Sequence, residues 1–335
     1  MTEPGLFSFL FYLCAVGMKT KKVTSSVVKK NPKILKKIIL VFISLSVIIL
    51  FTFLTKFLIT KFYFGETSQA SIKKEWNAGN YEKVYELSSL ALNSSQFNSK
   101  LLMYKGYSAF FIALSSNDTS KSLNLLDEAI LDLRVVLQNA KSKAIPQIEY
   151  MLGKAYFFKN YASSYYYYAD LAVKYLTDAV NHGYKAEDVY EFLGLSYASL
   201  DMTMESISSF TKALLNRESD LLLLSIGEQY YKAGQSSAAE QYLFRISQDC
   251  KDEKITEKCH ILLGKIYTEQ KKYKEAENEY QTILKYKEKS PDALYGLGVI
   301  YESQGDAVKA RSYWRKALKL QPNHPDSLKK LAEYK

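Results

Sequence analysis

Histidine and cysteine are scarce, with three of each in 335 residues. His182, His260 and His324 stand far apart, and no His-Glu or Cys-X-X-Cys spacing assembles a metal site. The glycines recur singly rather than in the clusters that cradle phosphates. An enzyme would have no residues with which to work, so the expectation is no catalytic centre, no cofactor and no metal. An excess of one charge is missing as well once the chain is divided. The formal charge is +10, but of 45 basic and 35 acidic residues, ten lysines and one acid precede Phe62, leaving 35 against 34 beyond it. That remainder is near neutral with its signs interspersed, which removes the electrostatic footprint of nucleic-acid binding.

What is present recurs. Five times a Leu-Gly or Ile-Gly pair is followed by tyrosine three residues after the glycine: Gly153 and Tyr156, Gly194 and Tyr197, Gly227 and Tyr230, Gly264 and Tyr267, Gly298 and Tyr301. The glycines step by 41, 33, 37 and 34 residues. In the last copy, Pro291 to His324, two helical patterns flank Gln304-Gly305-Asp306, with Gly298 and Ala310 small where the helices cross. Leu294, Leu297 and Tyr301 share one face, and Trp314, Ala317 and Leu318 form the facing stripe. Pro322 ends the unit.

This spelling resembles the tetratricopeptide repeat. The resemblance implies an all-α solenoid of helix-turn-helix hairpins that serves as a scaffold for protein or peptide partners. Counting backward tiles seven units over residues 65–324, and 325–335 begins a capping helix over the last apolar face. The first unit lacks its glycine but keeps Gly79 at the turn and Ala91 at its offset. In the second, residues 115–119 predict an expanded region between the helices. The third carries Ala172, Leu176 and Ala179 seven residues late, which predicts a longer second helix containing Tyr165 to Tyr168.

Ile38 to Thr55 holds no charged residue, and the apolar character continues past Lys56 to Thr60. A helix over 38–60 would extend roughly 34 Å, enough for a hydrocarbon core of about 30 Å. The expectation is a single transmembrane helix, with Lys56 snorkelling to the interface. Eight lysines between Lys19 and Lys37 oppose only Glu3, which places the tail 1–37 in the cytoplasm and the repeats in the periplasm. Ser68-Gln69-Ala70 resembles a cleavage site, but the apolar run is too long for a signal peptide and ends too early. Met18 before Lys19-Thr20-Lys21-Lys22 reads as a natural start, which makes residues 1–17 a misassigned extension. Cys14 lacks the small preceding residues of a lipoprotein site.

Cys250 and Cys259 sit near the ends of a connection, Lys251 to Lys258, and form a candidate disulfide in an oxidising compartment. The alternative is two separate small apolar side chains. In repeats of this kind the first helices line the inner face. The offsets then select Met103, Tyr107 and Phe110 in the second unit, Tyr150, Lys154 and Phe157 in the third, and Glu191 and Leu195 in the fourth. Their apolar and aromatic character fits a hydrophobic peptide or helix.

The function expected is a membrane-anchored periplasmic scaffold that organises an envelope machine. The layout is similar to repeat proteins assembled around spirochaete flagellar motors. The alternatives are an accessory chaperone beside the translocon and an organelle import receptor.

Overall fold

The computed structural model describes residues 40–41, 43–55, 68–163, 167–246 and 250–334. The chain divides into two compact units, residues 1–65 and 66–335. In the first, residues 43–55 form α1, a helix apolar on every side: Ile43, Leu45, Val47, Phe51 and Phe53 are all more than half exposed. Its few hydroxyls turn back on the helix. Ser44 donates to the Val41 carbonyl at 2.8 Å and Thr52 to that of Ile49 at 2.9 Å. No helix among the described residues is long and apolar enough to cross a membrane. The rest of the expected span, at 38–39 and 56–60, and the basic tail 1–37 lie outside the described residues.

The second unit is helical throughout its described residues. Seven hairpins follow one another: α2 (Gln69–Asn77) with α3 (Tyr81–Leu92), α4 (Ser99–Ser115) with α5 (Thr119–Gln138), α6 (Ile145–Ala162) with α7 (Ala169–Asn181), α8 (Val189–Ser199) with α9 (Thr203–Leu214), α10 (Asp220–Lys232) with α11 (Ser236–Phe244), α12 (Glu253–Glu269) with α13 (Tyr273–Tyr286), and α14 (Pro291–Ser303) with α15 (Ala307–Leu320). A last helix, α16 (Pro325–Glu333), lies on α15, and the Tyr334 ring beyond it stands 5.6 Å from that of Trp314.

Polar side chains start many of these helices by accepting from otherwise unpaired amides. Ser68, Asn98, Asp118, Ser219, Asp252, Ser290, Asp306 and His324 each cap the helix that follows. In the first hairpin and the fourth to seventh the turn is closed by one repeated device. A residue in the left-handed region follows the first helix, and the next amide reaches back to the carbonyl five residues earlier. In the last hairpin this residue is Gly305, φ 85°, and Asp306 N donates to Tyr301 O at 2.8 Å. Gly79 and Gly234 do the same, and Asp201 and Lys271 adopt φ of 59° and 60° without being glycine.

The recurring glycine is where the two helices of a hairpin cross. Gly194 faces Phe210, Gly227 faces Leu243, Gly264 faces Tyr280 and Gly298 faces Trp314, each partner sixteen residues on. In the first hairpin Ile72 takes the glycine's place, seven residues before Gly79, and the position sixteen on is Ser88; both are fully buried. Large and small have changed sides. The tyrosine three residues after the glycine also finds a partner, because Tyr156, Tyr230 and Tyr301 stack on Tyr175, Tyr242 and Tyr313 at 5.6, 5.3 and 5.4 Å.

Two expected expansions fall elsewhere than the sequence pattern places them. In the second hairpin the connection is only residues 116–118; the added length is in α5, which runs for 20 residues. In the third, α7 begins at Ala169, after Tyr167 and Tyr168, while Tyr165 and Tyr166 lie outside the described residues. The seven extra residues there extend α6, 18 residues long, and its loop rather than the second helix. Gly153 therefore meets Leu176, 23 residues on, and Gly106 meets Leu133, 27 on. Insertions of about two and three helical turns keep the same faces together.

Successive hairpins bury a continuous strip. One cluster joins hairpins two to four from Leu102 to Leu193, another joins five to seven from Leu223 to Ile300, and Phe210, Ala213, Leu222 and Ile226 bridge the fourth and fifth. First helices also touch the next first helix, as α2 with α4, α6 with α8, α10 with α12 and α12 with α14. The row of first helices is thus the inner row of the solenoid.

Candidate partner-binding groove

At the start of this inner row α2, α4 and α6 leave a pocket of about 560 Å³. Gln69, Ala70, Lys73 and Trp76 come from α2, Lys100, Met103, Tyr104 and Tyr107 from α4, and Gln147 from α6. The Trp76 ring lies 5.7 Å from Tyr104 and 6.0 Å from Tyr107, which makes an aromatic wall. Tyr107 is buried, and its hydroxyl has no hydrogen-bond partner among the described residues. Burial raises its pKa, so it stays a neutral phenol. The size and the mixture of rings with a few polar groups suit a peptide segment.

The residues selected from the sequence are thus partly brought together. Met103 and Tyr107 line the pocket. Phe110 does not: it is 1% exposed in the core, edge-on to Phe158 at 5.8 Å. Tyr150 and Lys154 are occupied with joining hairpins, since the Tyr150 hydroxyl donates to Asp188 at 2.5 Å and Lys154 pairs with the same carboxylate at 2.9 Å. Burial, then the hydrogen bond to Asp188, raises the Tyr150 pKa. Phe157 packs edge-on against Phe192 at 5.0 Å, Leu195 packs on the cluster around Phe210, and Glu191 faces Arg217 at 3.7 Å.

Gln69, Ala70, Lys73, Trp76, Lys100, Tyr104 and Gln147 escaped the sequence reading. A signal for three of them existed. Counting seven back from the Gly79 turn gives Ile72 as the crossing residue, and the offsets that selected Tyr150, Lys154 and Phe157 around Gly153 then give Gln69, Lys73 and Trp76.

The candidate disulfide is absent, because Cys250 and Cys259 are both free thiols. The connection is shorter than expected: α12 begins at Glu253, so Cys259 stands inside a helix. There it is buried, with its Sγ 3.6 Å from the Leu243 carbonyl, while the Cys250 Sγ lies 3.8 Å from that of Asp252. The histidines serve the scaffold. His182 Nδ1 meets Glu149 at 2.7 Å, His260 Nδ1 meets Glu279 at 2.6 Å, and His324 caps α16. Among the described residues no three His, Cys, Asp or Glu side chains gather as a metal site.

Comparison with known proteins agrees with this geometry. A family model for the tetratricopeptide repeat matches residues 261–325. The C-terminal part of a tetratricopeptide repeat-containing protein from Cytophaga hutchinsonii superposes with a TM-score of 0.55 at 15% identity, covering 77% of this chain and 97% of that one. PilW, a widely conserved type IV pilus biogenesis factor, superposes with a TM-score of 0.51 at 16% identity, covering 68% and 98%. Such identities speak for the fold alone. A probable biofilm formation methyltransferase, WspC, from Pseudomonas putida strain KT2440 is 41% identical over 58 residues, which is 17% of this chain and 14% of that protein. The match therefore spans about one seventh of that relative. The glycine crossing and the left-handed turn recur along the solenoid and, with the match at 261–325, identify its hairpins as tetratricopeptide-type repeats.

Proposed function

We propose that this protein is a non-catalytic, membrane-anchored scaffold that holds a protein partner of an envelope-associated assembly on the inner row of its first hairpins. The observation that carries the binding reading is the aromatic pocket between α2, α4 and α6. An anchor over residues 38–60 is supported by α1, which exposes apolar side chains all round and returns its hydroxyl protons to its own carbonyls. The lysines before it favour a cytoplasmic tail and periplasmic repeats.

The test is crosslinking in native membranes followed by purification of the full chain, with Ala70→Trp as a variant that fills the pocket. A scaffold yields one stable assembly whose recovery falls in the variant. A broad set of unfolded polypeptides would instead indicate a chaperone. Protease added after permeabilising the outer membrane should digest the repeats; repeats that stay intact while the tail is cut would reverse the orientation.

A further inference from the structure

The pocket carries a charge that α4 and α6 elsewhere neutralise. On α4 and α6 the other lysines are neutralised: Lys105 holds Asp132 at 2.8 Å and Glu128 at 3.0 Å, Lys154 holds Asp188 at 2.9 Å, and Lys159 holds Asp127. Lys73 and Lys100 are exposed at the pocket, and neither forms an ion pair among the described residues. Among the described residues no carboxylate lines the pocket; the remaining polar lining is Gln69, Gln147 and the tyrosines. Two unneutralised ammonium groups beside an aromatic wall complement a ligand that is anionic and apolar at once.

We propose that this pocket binds an acidic, aromatic-bearing internal segment of a protein partner, with its carboxylates at Lys73 and Lys100 and its ring against Trp76 and Tyr104. The proposal rests on the groove reading above and narrows it, because a purely apolar peptide leaves both lysines without a counter-charge. Carboxylates supplied by side chains distinguish such a segment from a chain end. The contribution of two exposed charges is also screened by salt, so the preference for acid should fade as ionic strength rises.

The experiment measures fluorescence anisotropy on the full chain in a non-ionic detergent. The probes are three labelled acetylated peptides: Glu-Phe-Glu-Leu-Glu amide, Gln-Phe-Gln-Leu-Gln amide, and the glutamine sequence with a free C-terminus. The acidic amide should bind about tenfold tighter than the neutral amide, as expected for two charge contacts. Lys73→Gln with Lys100→Gln should erase that difference without lowering the thermal melt. Equal binding of the two amides, while Ala70→Trp still releases the partner, would overturn the acidic preference and leave the groove reading standing. Tightest binding by the free C-terminus would overturn it in favour of a chain end. Failure of every peptide, with partner recovery indifferent to Ala70→Trp, would overturn both.

Discussion

Gly298 lies against the indole of Trp314, so closely that a Cβ placed on it would fall 2.3 Å from Nε1. The same approach, measured to Phe210 at Gly194 and to Tyr280 at Gly264, would be 2.4 and 2.6 Å. These three hairpins thus close on a helix backbone with no side chain in the way, and a large ring fills the space. Alanine would gain about 1 kcal/mol in helix propensity. Overpacking against a fully buried tryptophan costs about 1 to 3 kcal/mol and more when the neighbour cannot move. Gly298→Ala should therefore destabilise the solenoid by about 1 to 2 kcal/mol in urea unfolding. Gly106→Ala, whose Cβ would stand 3.2 Å from the flexible Leu133, should be near neutral. Equal effects at both sites would contradict the crossing argument.

The turn of the sixth hairpin holds a strained residue. Lys271 has a φ of 60°, which costs an L-amino acid about 1 to 2 kcal/mol, against about 0.4 to 1 kcal/mol for the greater freedom of glycine in the unfolded chain. Lys271→Gly should raise stability by about 0.5 to 1 kcal/mol. Gly305→Ala, at the equivalent turn, should lower it. A melting temperature that falls in the first variant would show that the Lys271 side chain has a structural role of its own.

Burial pushes the Cys259 thiol up to about 12, with the nearby Glu279 adding to the effect. At pH 8 it should resist iodoacetamide in the folded protein, whereas half-exposed Cys250 should react. Peptide mapping after brief alkylation reads both sites. Equal labelling rates, or a bridged peptide in the nonreduced digest, would contradict the observed thiols.

His182 titrates above its ordinary value of 6.5 because it hydrogen-bonds Glu149, whose charge adds to the effect. A raised folded pKa contributes stability that is complete below about pH 6.5 and is lost as pH rises through the folded midpoint. The imidazole NMR titration should have its midpoint above 6.5, and Glu149→Gln should lower it. A midpoint at or below 6.5 in the parent protein would show that the pair does not form in solution.

Much of the fold was legible because most hairpins repeat a steric demand. A glycine is needed where two helices cross, and a left-handed residue is needed at the turn; both recur along the chain. Legibility failed where the same demand was met by other residues. Ile72 with Ser88 inverts the usual large-small pair and hid the first hairpin's inner face. Offsets also cannot tell a side chain that lines a groove from one that ties two hairpins, since both point inward. Tyr150 and Lys154 illustrate the tie, because Asp188, which engages both, belongs to the next repeat. Phe110 shows a second limit: with α4 extended past its glycine, an inward position falls between hairpins and is buried.

The central claim is that partners dock on the inner row at α2, α4 and α6. It is tested most directly by photo-crosslinking in native membranes, with benzoylphenylalanine replacing Tyr104 in the pocket or Leu131, exposed on α5. A discrete adduct from position 104, lost when Ala70→Trp fills the pocket and absent from position 131, is the predicted result. Adducts from position 131 alone, or adducts from 104 that Ala70→Trp leaves unchanged, would contradict it.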